Sequence, residues 1–285
     1  MTIQWYPGHI AKAERNLKEQ LKRVDVVLEV RDARIPLATR HPQVSEWVGS
    51  KAQVLVINRI DMISSEVMKI WTEWFEANGE MPYFTNAQLG DGVKNLAKAV
   101  REAGRAVNLR RRDRGMLPRP VRAVVIGFPN VGKSALINRL LKRKVVESAR
   151  RPGVTKQLRW VRISDEIELL DAPGVIPSQI KNREDAIKLA ICEDIGDAAY
   201  DNQQVAASMI DFLTFLETDS NGFVSTSCLK YRYQLEAHNY TGESYLHELA
   251  NQIYQGDVER TSRRILDDFR KGFLGKISLE LPPFK

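Results

Sequence analysis

Residues Gly127-Phe-Pro-Asn-Val-Gly132-Lys133-Ser134 match G-x-x-x-x-G-K-[ST], between an apolar run, VRAVVIGF, and a helix-like run, SALINRLLKR. A loop that wraps a phosphate needs glycine where a side chain would collide. The backbone at Asn130, Val131, Gly132, Lys133, Ser134 and Ala135, together with the helix N-terminus, would then face the anion. Lys133 would neutralise the outer phosphates and Ser134 would ligate Mg²⁺.

Asp171-Ala-Pro-Gly174 fits D-x-x-G at the end of a second apolar run, IELL. By itself Asp-Ala-Pro-Gly is also an ordinary turn. Downstream of a phosphate loop it has a sharper reading: Asp171 holds Mg²⁺ through water and Gly174 offers its N–H to a γ-phosphate. Thr155 lies between the two motifs in RRPGVTK, where a threonine can complete the Mg²⁺ shell; the plainer reading is a loop threonine.

A base-reading tetrad, Asn58-Arg59-Ile60-Asp61, follows the strand-like VLVI and resembles N-K-x-D. A carboxylate at Asp61 can accept from guanine N1–H and the 2-amino group. Adenine offers neither donor, a mismatch of about 1–3 kcal/mol or more. Asn58 would support the base and brace the phosphate loop. Arg59 replaces the usual lysine, with an aliphatic stem that can still cover the base. The usual Ser-Ala loop is here Asn86-Ala87, with the Ala87 N–H placed to reach guanine O6 and Asn86 a departure from serine.

The parts of a GTP site are therefore present in rotated order, base motifs first and phosphate motifs after. Circular permutation accounts for this, with helix 91–104 joined by a basic linker, about 105–120, to the usual first strand. Runs such as DVVLEV, QVLVI, MPYFTNA, VRAVVIGF, LRWVRIS and IELLD alternate with helix-like segments over 1–180 and predict an α/β domain with a mostly parallel sheet. Segments 183–201, 202–218, 243–255 and 257–273 keep the helical period and predict a smaller all-helical domain over 181–285.

The net charge of +7 and the pI of about 9.3 hint only weakly at a polyanionic partner. Residues 101–122 carry eight arginines against Glu102 and Asp113, so this stretch is either a solvated linker or a contact to RNA phosphates. Arg260, Arg263, Arg264, Arg270, Lys271 and Lys276 are a second candidate RNA face, with Glu259, Asp267 and Asp268 among them. Cys192 and Cys228 lack metal spacing and read as packing residues of a reduced compartment. The absence of a membrane-length apolar run and of an export signal makes the cytoplasm the expectation, with an organelle stroma the alternative.

WYPGHIAKA, VVLEVRDARIPLATRHP, VINRID, GFPNVGKSALINRL, RPGVTK, DAPGVIP and FRKGFLGKISLE together resemble the ribosome biogenesis GTPase A family, the YlqF-related circularly permuted GTPases. The resemblance implies a GTP hydrolase that assists assembly of the large ribosomal subunit, touching rRNA and ribosomal proteins, with turnover stimulated by the particle. It implies GTP/GDP and Mg²⁺ as ligands, K⁺ held with the help of Asn130, and a catalytic role for His9. An imidazole can orient water near neutral pH, whereas Val175, where many GTPases carry glutamine, cannot. His9 bonding only to its own helix start is the plainer reading. A chain that is monomeric off the ribosome and not membrane-bound is expected. The alternatives are an RNA-binding scaffold with a nearly inactive GTP site, suggested by Val175, Arg59 and Asn86, and a small-molecule or tRNA-modifying GTPase.

Overall fold

The computed structural model describes residues 15–142, 159–172, 174, 177, 180, 182–196, 200–219 and 227–283. His9, Thr155 and Val175 lie outside them.

Six strands, β1 (Val26–Asp32), β2 (Ala52–Asn58), β3 (Pro82–Thr85), β4 (Val121–Ile126), β5 (Arg159–Arg162) and β6 (Ile167–Asp171), form one sheet ordered β3-β2-β1-β4-β6-β5. Every neighbouring pair is parallel except the edge strand β5 on β6. The predicted mostly parallel α/β sheet is the observed one. All positions of β1 are buried, as a parallel strand covered on both faces requires. The parallel strands bring Asp32, Asn58, Thr85, Gly127 and Asp171 to one edge of the sheet, the carboxyl end, where such sheets bind ligands.

One face carries α1 (residues 15–21) and α2 (Val44–Val48), which pack with Val27, Val124, Ile126 and Leu170. α3 (Ser65–Ala77) lays Val67, Trp71 and Phe75, four residues apart, on Leu55 and Ile57. The Ser64 hydroxyl caps α3 by accepting from the Val67 N–H at 3.2 Å. On the other face, α4 (Val93–Asp113) and α5 (Lys133–Leu141) cover Leu28, Val30 and Val125 with Leu96, Val100, Leu136 and Ile137.

Two helix ends differ from the sequence reading. The helix expected over 91–104 runs on to Asp113, so the linker expected over 105–120 shortens to 114–120. No breaker lies between Gly104 and Gly115, arginine is a good helix former, and Arg110, Arg111 and Arg112 complement the dipole at the last turn. Gly104 lets α4 lie close against β4: a Cβ there would stand 1.9 Å from Val121 Cγ2. The helix expected over 183–201 stops as α6 (Arg183–Ile191), where the chain turns through Glu193 at φ +64°.

The C-terminal region is helical, as expected: α6 is followed by α7 (Asn202–Asp219), a short α8 (Cys228–Tyr233) that the period did not reveal, α9 (Gly242–Tyr254) and α10 (Val258–Arg270). α7 packs on α6, α9 and α10. One apolar cluster runs from Leu28 and Val30 through Leu189 and Ile191 to Met209, Leu246 and Leu266, so the helices share a core with the sheet. Beyond α10 the chain returns to the loop after β1. There Leu279 N–H donates to Arg34 O at 2.9 Å, and the Glu280 carboxylate accepts from the N–H groups of Leu37 (2.8 Å) and Ala38 (3.2 Å). No helix among the described residues is long and apolar enough to cross a membrane.

Candidate nucleotide site

The loop between β4 and α5 is the predicted phosphate loop, in the strand–loop–helix setting its motif requires. Lys133, the first residue of α5, is buried and folds back so that Nζ donates to the carbonyls of Gly127 (3.1 Å) and Phe128 (2.6 Å). Burial pulls its pKa down to about 8, opposed by the negative charges of Asp171 and Asp194. Ser134 and Ala135 follow in the first turn, both half-buried.

Asn58, at the end of β2, ties the base motif to the phosphate loop. Its Nδ2 donates to Val131 O at 2.8 Å, while its Oδ1 accepts from the Thr85 hydroxyl and the Ala87 N–H, each at 3.0 Å. The brace requires glycine opposite it: a Cβ on Gly132, at φ +99°, would lie 2.2 Å from Asn58 Nδ2. The Ala87 N–H, expected to face guanine O6, is held by Asn58 here. Asn86 is buried and its Oδ1 accepts from the N–H groups of Gln88 (3.0 Å) and Leu89 (3.1 Å), so it fastens the loop on which Ala87 sits. Asp61 lies exposed in a 3₁₀ turn over Ile60–Met62, open to a base.

Arg59 has left-handed backbone (φ +66°), and its Nη2 donates to Asn130 O at 2.6 Å. Its Nε lies 3.4 Å from Asp32 Oδ2. The guanidinium therefore grips the phosphate loop, a contact the N-K-x-D pattern did not suggest. Asn130 in turn donates from Nδ2 to Glu193 O at 2.7 Å, in the turn after α6. That turn is also held by Arg34, whose Nη2 donates to Cys192 O at 3.2 Å and whose Nε and Nη2 clasp Asp32 at 3.0 and 2.8 Å. The contacts close a ring from Arg59 through Asn130, Glu193, Cys192, Arg34 and Asp32 back to Arg59. Burial alone would raise the Asp32 pKa, but the Arg34 and Arg59 charges hold it below the ordinary value.

Sequence reasoning missed Asp32, Arg34 and Asp194. The visible signal for the first two was a D-x-R step at the end of a strand, VVLEVRD. Asp194 carried none: it is fully buried, with no hydrogen-bond partner for either carboxylate oxygen among the described residues. Burial, then the charge of Asp32, drives its pKa well above the ordinary carboxylate value.

Asp171 ends β6 beside β4 and is likewise buried, with neither oxygen hydrogen-bonded among the described residues. Burial raises its pKa to about 6, with the Lys133 charge pulling the other way. A buried carboxylate lacking donors, next to a phosphate loop and a serine, suits a hard cation such as Mg²⁺. Gly174 sits against Pro129 of the phosphate loop. The described residues thus bring Asn58, Arg59, Asn86, Ala87, Asn130, Val131, Gly132, Lys133 and Gly174 into one assembly.

A mostly parallel sheet with the base motifs at the ends of β2 and β3 and the phosphate loop after β4 defines a circularly permuted P-loop GTPase, and the chain binds guanine nucleotide and hydrolyses GTP. Residues 122–225 match the family described as 50S ribosome-binding GTPase. Ribosome biogenesis GTPase A of Bacillus cereus is 35% identical over 99% of this chain and 95% of its own length; mitochondrial ribosome-associated GTPase 1 of Mus musculus is 29% identical over 97% and 90%. The chain belongs to the ribosome biogenesis GTPase A family. Its fold is shared with the crystal structure of GNP-bound YlqF from T. maritima, at TM-score 0.67 and 22% identity over 96% of this chain and 100% of that one.

Proposed function

We propose that this GTPase assists assembly of the large ribosomal subunit and that the particle stimulates its turnover. The carrying observation is the match of residues 122–225 to a family described as 50S ribosome-binding GTPases, within a chain that matches ribosome biogenesis GTPase A from end to end. In this reading Ser134, Thr155 and Asp171 hold Mg²⁺, Asn130 contributes to a K⁺ site, and Asp61 and Asn58 select guanine. Gly174 and the phosphate loop hold the phosphates, and His9 orients the attacking water. The helical region from 181 onward supplies one RNA contact, and the chain works as a monomer in the cytoplasm when off the ribosome. Two of the three residues that favoured a nearly inactive scaffold now have structural roles: Arg59 grips Asn130, and Asn86 fastens the Ala87 loop.

The test is GTP turnover in K⁺ buffer, with and without purified large subunits, for the wild type and His9→Ala. Stimulation that disappears in the variant while GTP affinity holds is the expected result. No stimulation in either protein would overturn the ribosome-activated reading. Equal stimulation in both would keep the ribosome and remove the histidine.

A further inference from the structure

The join that permutation creates between α4 and β4 leaves a surface feature the nucleotide site does not use. Lys98, Arg101, Arg105, Asn108 and Arg112 recur along α4 at steps of three and four, and so lie on one side of the helix. The returning segment 114–120 is pinned along that side. Asn108 donates from Nδ2 to Arg119 O at 2.9 Å and accepts from Arg119 N–H at 3.2 Å. Arg111 Nε donates to Leu117 O at 3.1 Å, and the Arg119 guanidinium clasps Asp25 at 2.8 and 3.0 Å. Between α4, this segment and residues 165–166 opens a cleft of about 530 Å³, with a neighbouring depression of about 400 Å³ sharing Arg101, Arg105 and Glu166.

Of the charged residues lining the cleft, Arg119 and Asp165 are paired elsewhere, Glu166 is the second acid, and three arginines are uncommitted. The side chains of Arg101, Arg105 and Arg112 make no hydrogen bond or ion pair among the described residues. The acids nearby are partly taken: Glu102 faces Lys98 at 3.8 Å and Asp165 faces Arg162 at 3.1 Å. The helical region contrasts sharply. There Arg263 pairs with Glu259, Arg264 with Asp268 and Lys271 with Asp267, while Arg270 donates to Ile191 O and Ala190 O. Nor does the core explain the end of α4, because no position beyond Gly104 is buried. The end of α4, held to the returning segment through Asn108, Arg111 and Arg119, spaces Arg101, Arg105 and Arg112 along one side of the helix.

We propose that this cleft binds the phosphodiester backbone of RNA, with Arg101, Arg105 and Arg112 as its phosphate contacts. The proposal rests on the ribosome-assembly reading. Guanidinium forks match phosphate oxygens two at a time, and their planes also stack with unpaired bases. The helix presets the spacing of the row, while the arginine side chains are ordered on binding. The exposed flank of Leu109 and the ring of Pro118 on the cleft wall suit the less polar faces of ribose and base. An acidic protein segment would use the charge but lacks the regular row of base planes for guanidinium stacking.

The test uses the full chain loaded with GDP and a labelled single-stranded RNA oligonucleotide, with anisotropy read across a KCl series. The triple variant Arg101→Gln/Arg105→Gln/Arg112→Gln is compared with Arg260→Gln/Lys276→Gln on the helical region. The cleft triple is expected to weaken RNA binding at least tenfold and to flatten the dependence of log K on log [KCl] by about 2, three contacts at about 0.7 each, with GDP affinity unchanged. An unchanged slope in the cleft triple would overturn the proposal, as would loss confined to the helical-region variant. A polyglutamate peptide that displaces RNA at equal charge and loses affinity equally in the triple would reassign the cleft to an acidic protein. Pelleting with large subunits separates the two levels. If the wild type pellets and the triple binds RNA normally, only the cleft falls. If the wild type does not pellet, the ribosome reading falls and the cleft with it.

Discussion

The guanidinium of Arg59 reaches the main-chain oxygen of Asn130 at 2.6 Å while its Nε faces the Asp32 carboxylate at 3.4 Å. A lysine, the residue usual at this position, presents one ammonium and cannot span both partners at the angle a planar fork allows. Arg59 therefore has a positioning task on the phosphate loop beside any cover it gives the base. Arg59→Lys is expected to weaken GDP binding roughly tenfold, the loss of about one charge-assisted hydrogen bond. Fluorescence titration with a labelled GDP measures it. An unchanged affinity would mean that the Asn130 carbonyl needs no donor from this side.

Asn58 and Asp61 belong to the same tetrad but should fail differently. Asn58 is buried and serves Val131, Thr85 and Ala87 together. Asn58→Ala leaves all three without their partner, so the nucleotide-free chain should lose about 3 kcal/mol of stability, seen as a lowered urea midpoint. Unaltered stability would show that water or a local shift replaces the amide.

Asp61 is exposed, so Asp61→Asn should leave the nucleotide-free melting temperature nearly unchanged. Its effect should fall on base choice. An amide nitrogen there can donate to the C2 carbonyl of xanthine, whereas the carboxylate accepts from the 2-amino group of guanine. GTP binding is expected to weaken at least tenfold and XTP binding to strengthen. A variant that keeps its preference for GTP would remove Asp61 from base recognition.

The site was legible where chemistry restricts residue type. A tight phosphate loop demands Gly132 and Lys133, and a base carboxylate demands an acid at Asp61, so their order along the chain exposed the permuted fold. The sheet was legible because strands buried on both faces are mostly apolar, as in the VLVI of β2 and the AVVI of β4. The ring was not. Arg34, Asp32 and Asn130 are types found on any surface, and their meaning comes from the turn at Cys192–Asp194, which is more than fifty residues from the phosphate loop and well over a hundred from β1. The end of α4 was misjudged because arginines read equally well as linker or helix. The pinning of segment 114–120 by Asn108 and Arg119 is a tertiary fact that no local pattern carries.

The return of the chain to the loop after β1 makes stability depend on pH through Glu280. Its carboxyl is buried, and burial raises its pKa to about 7, against the Lys188 charge and the N–H groups of Leu37 and Ala38. The ordinary value is 4.5, so between about pH 4.5 and pH 7 the folded chain keeps a proton that the unfolded chain has released. The stability this group contributes is fully present below about pH 4.5 and is lost as pH rises through about 7. Glu280→Gln, which is never charged, lacks that dependence. The unfolding free energy of the wild type minus that of the variant should therefore fall by roughly 2–3 kcal/mol between pH 5 and pH 8. Urea unfolding of both proteins at several pH values measures the difference. Parallel curves would show that Glu280 is already ionised in the folded chain at pH 5, with its two N–H donors and Lys188 outweighing burial.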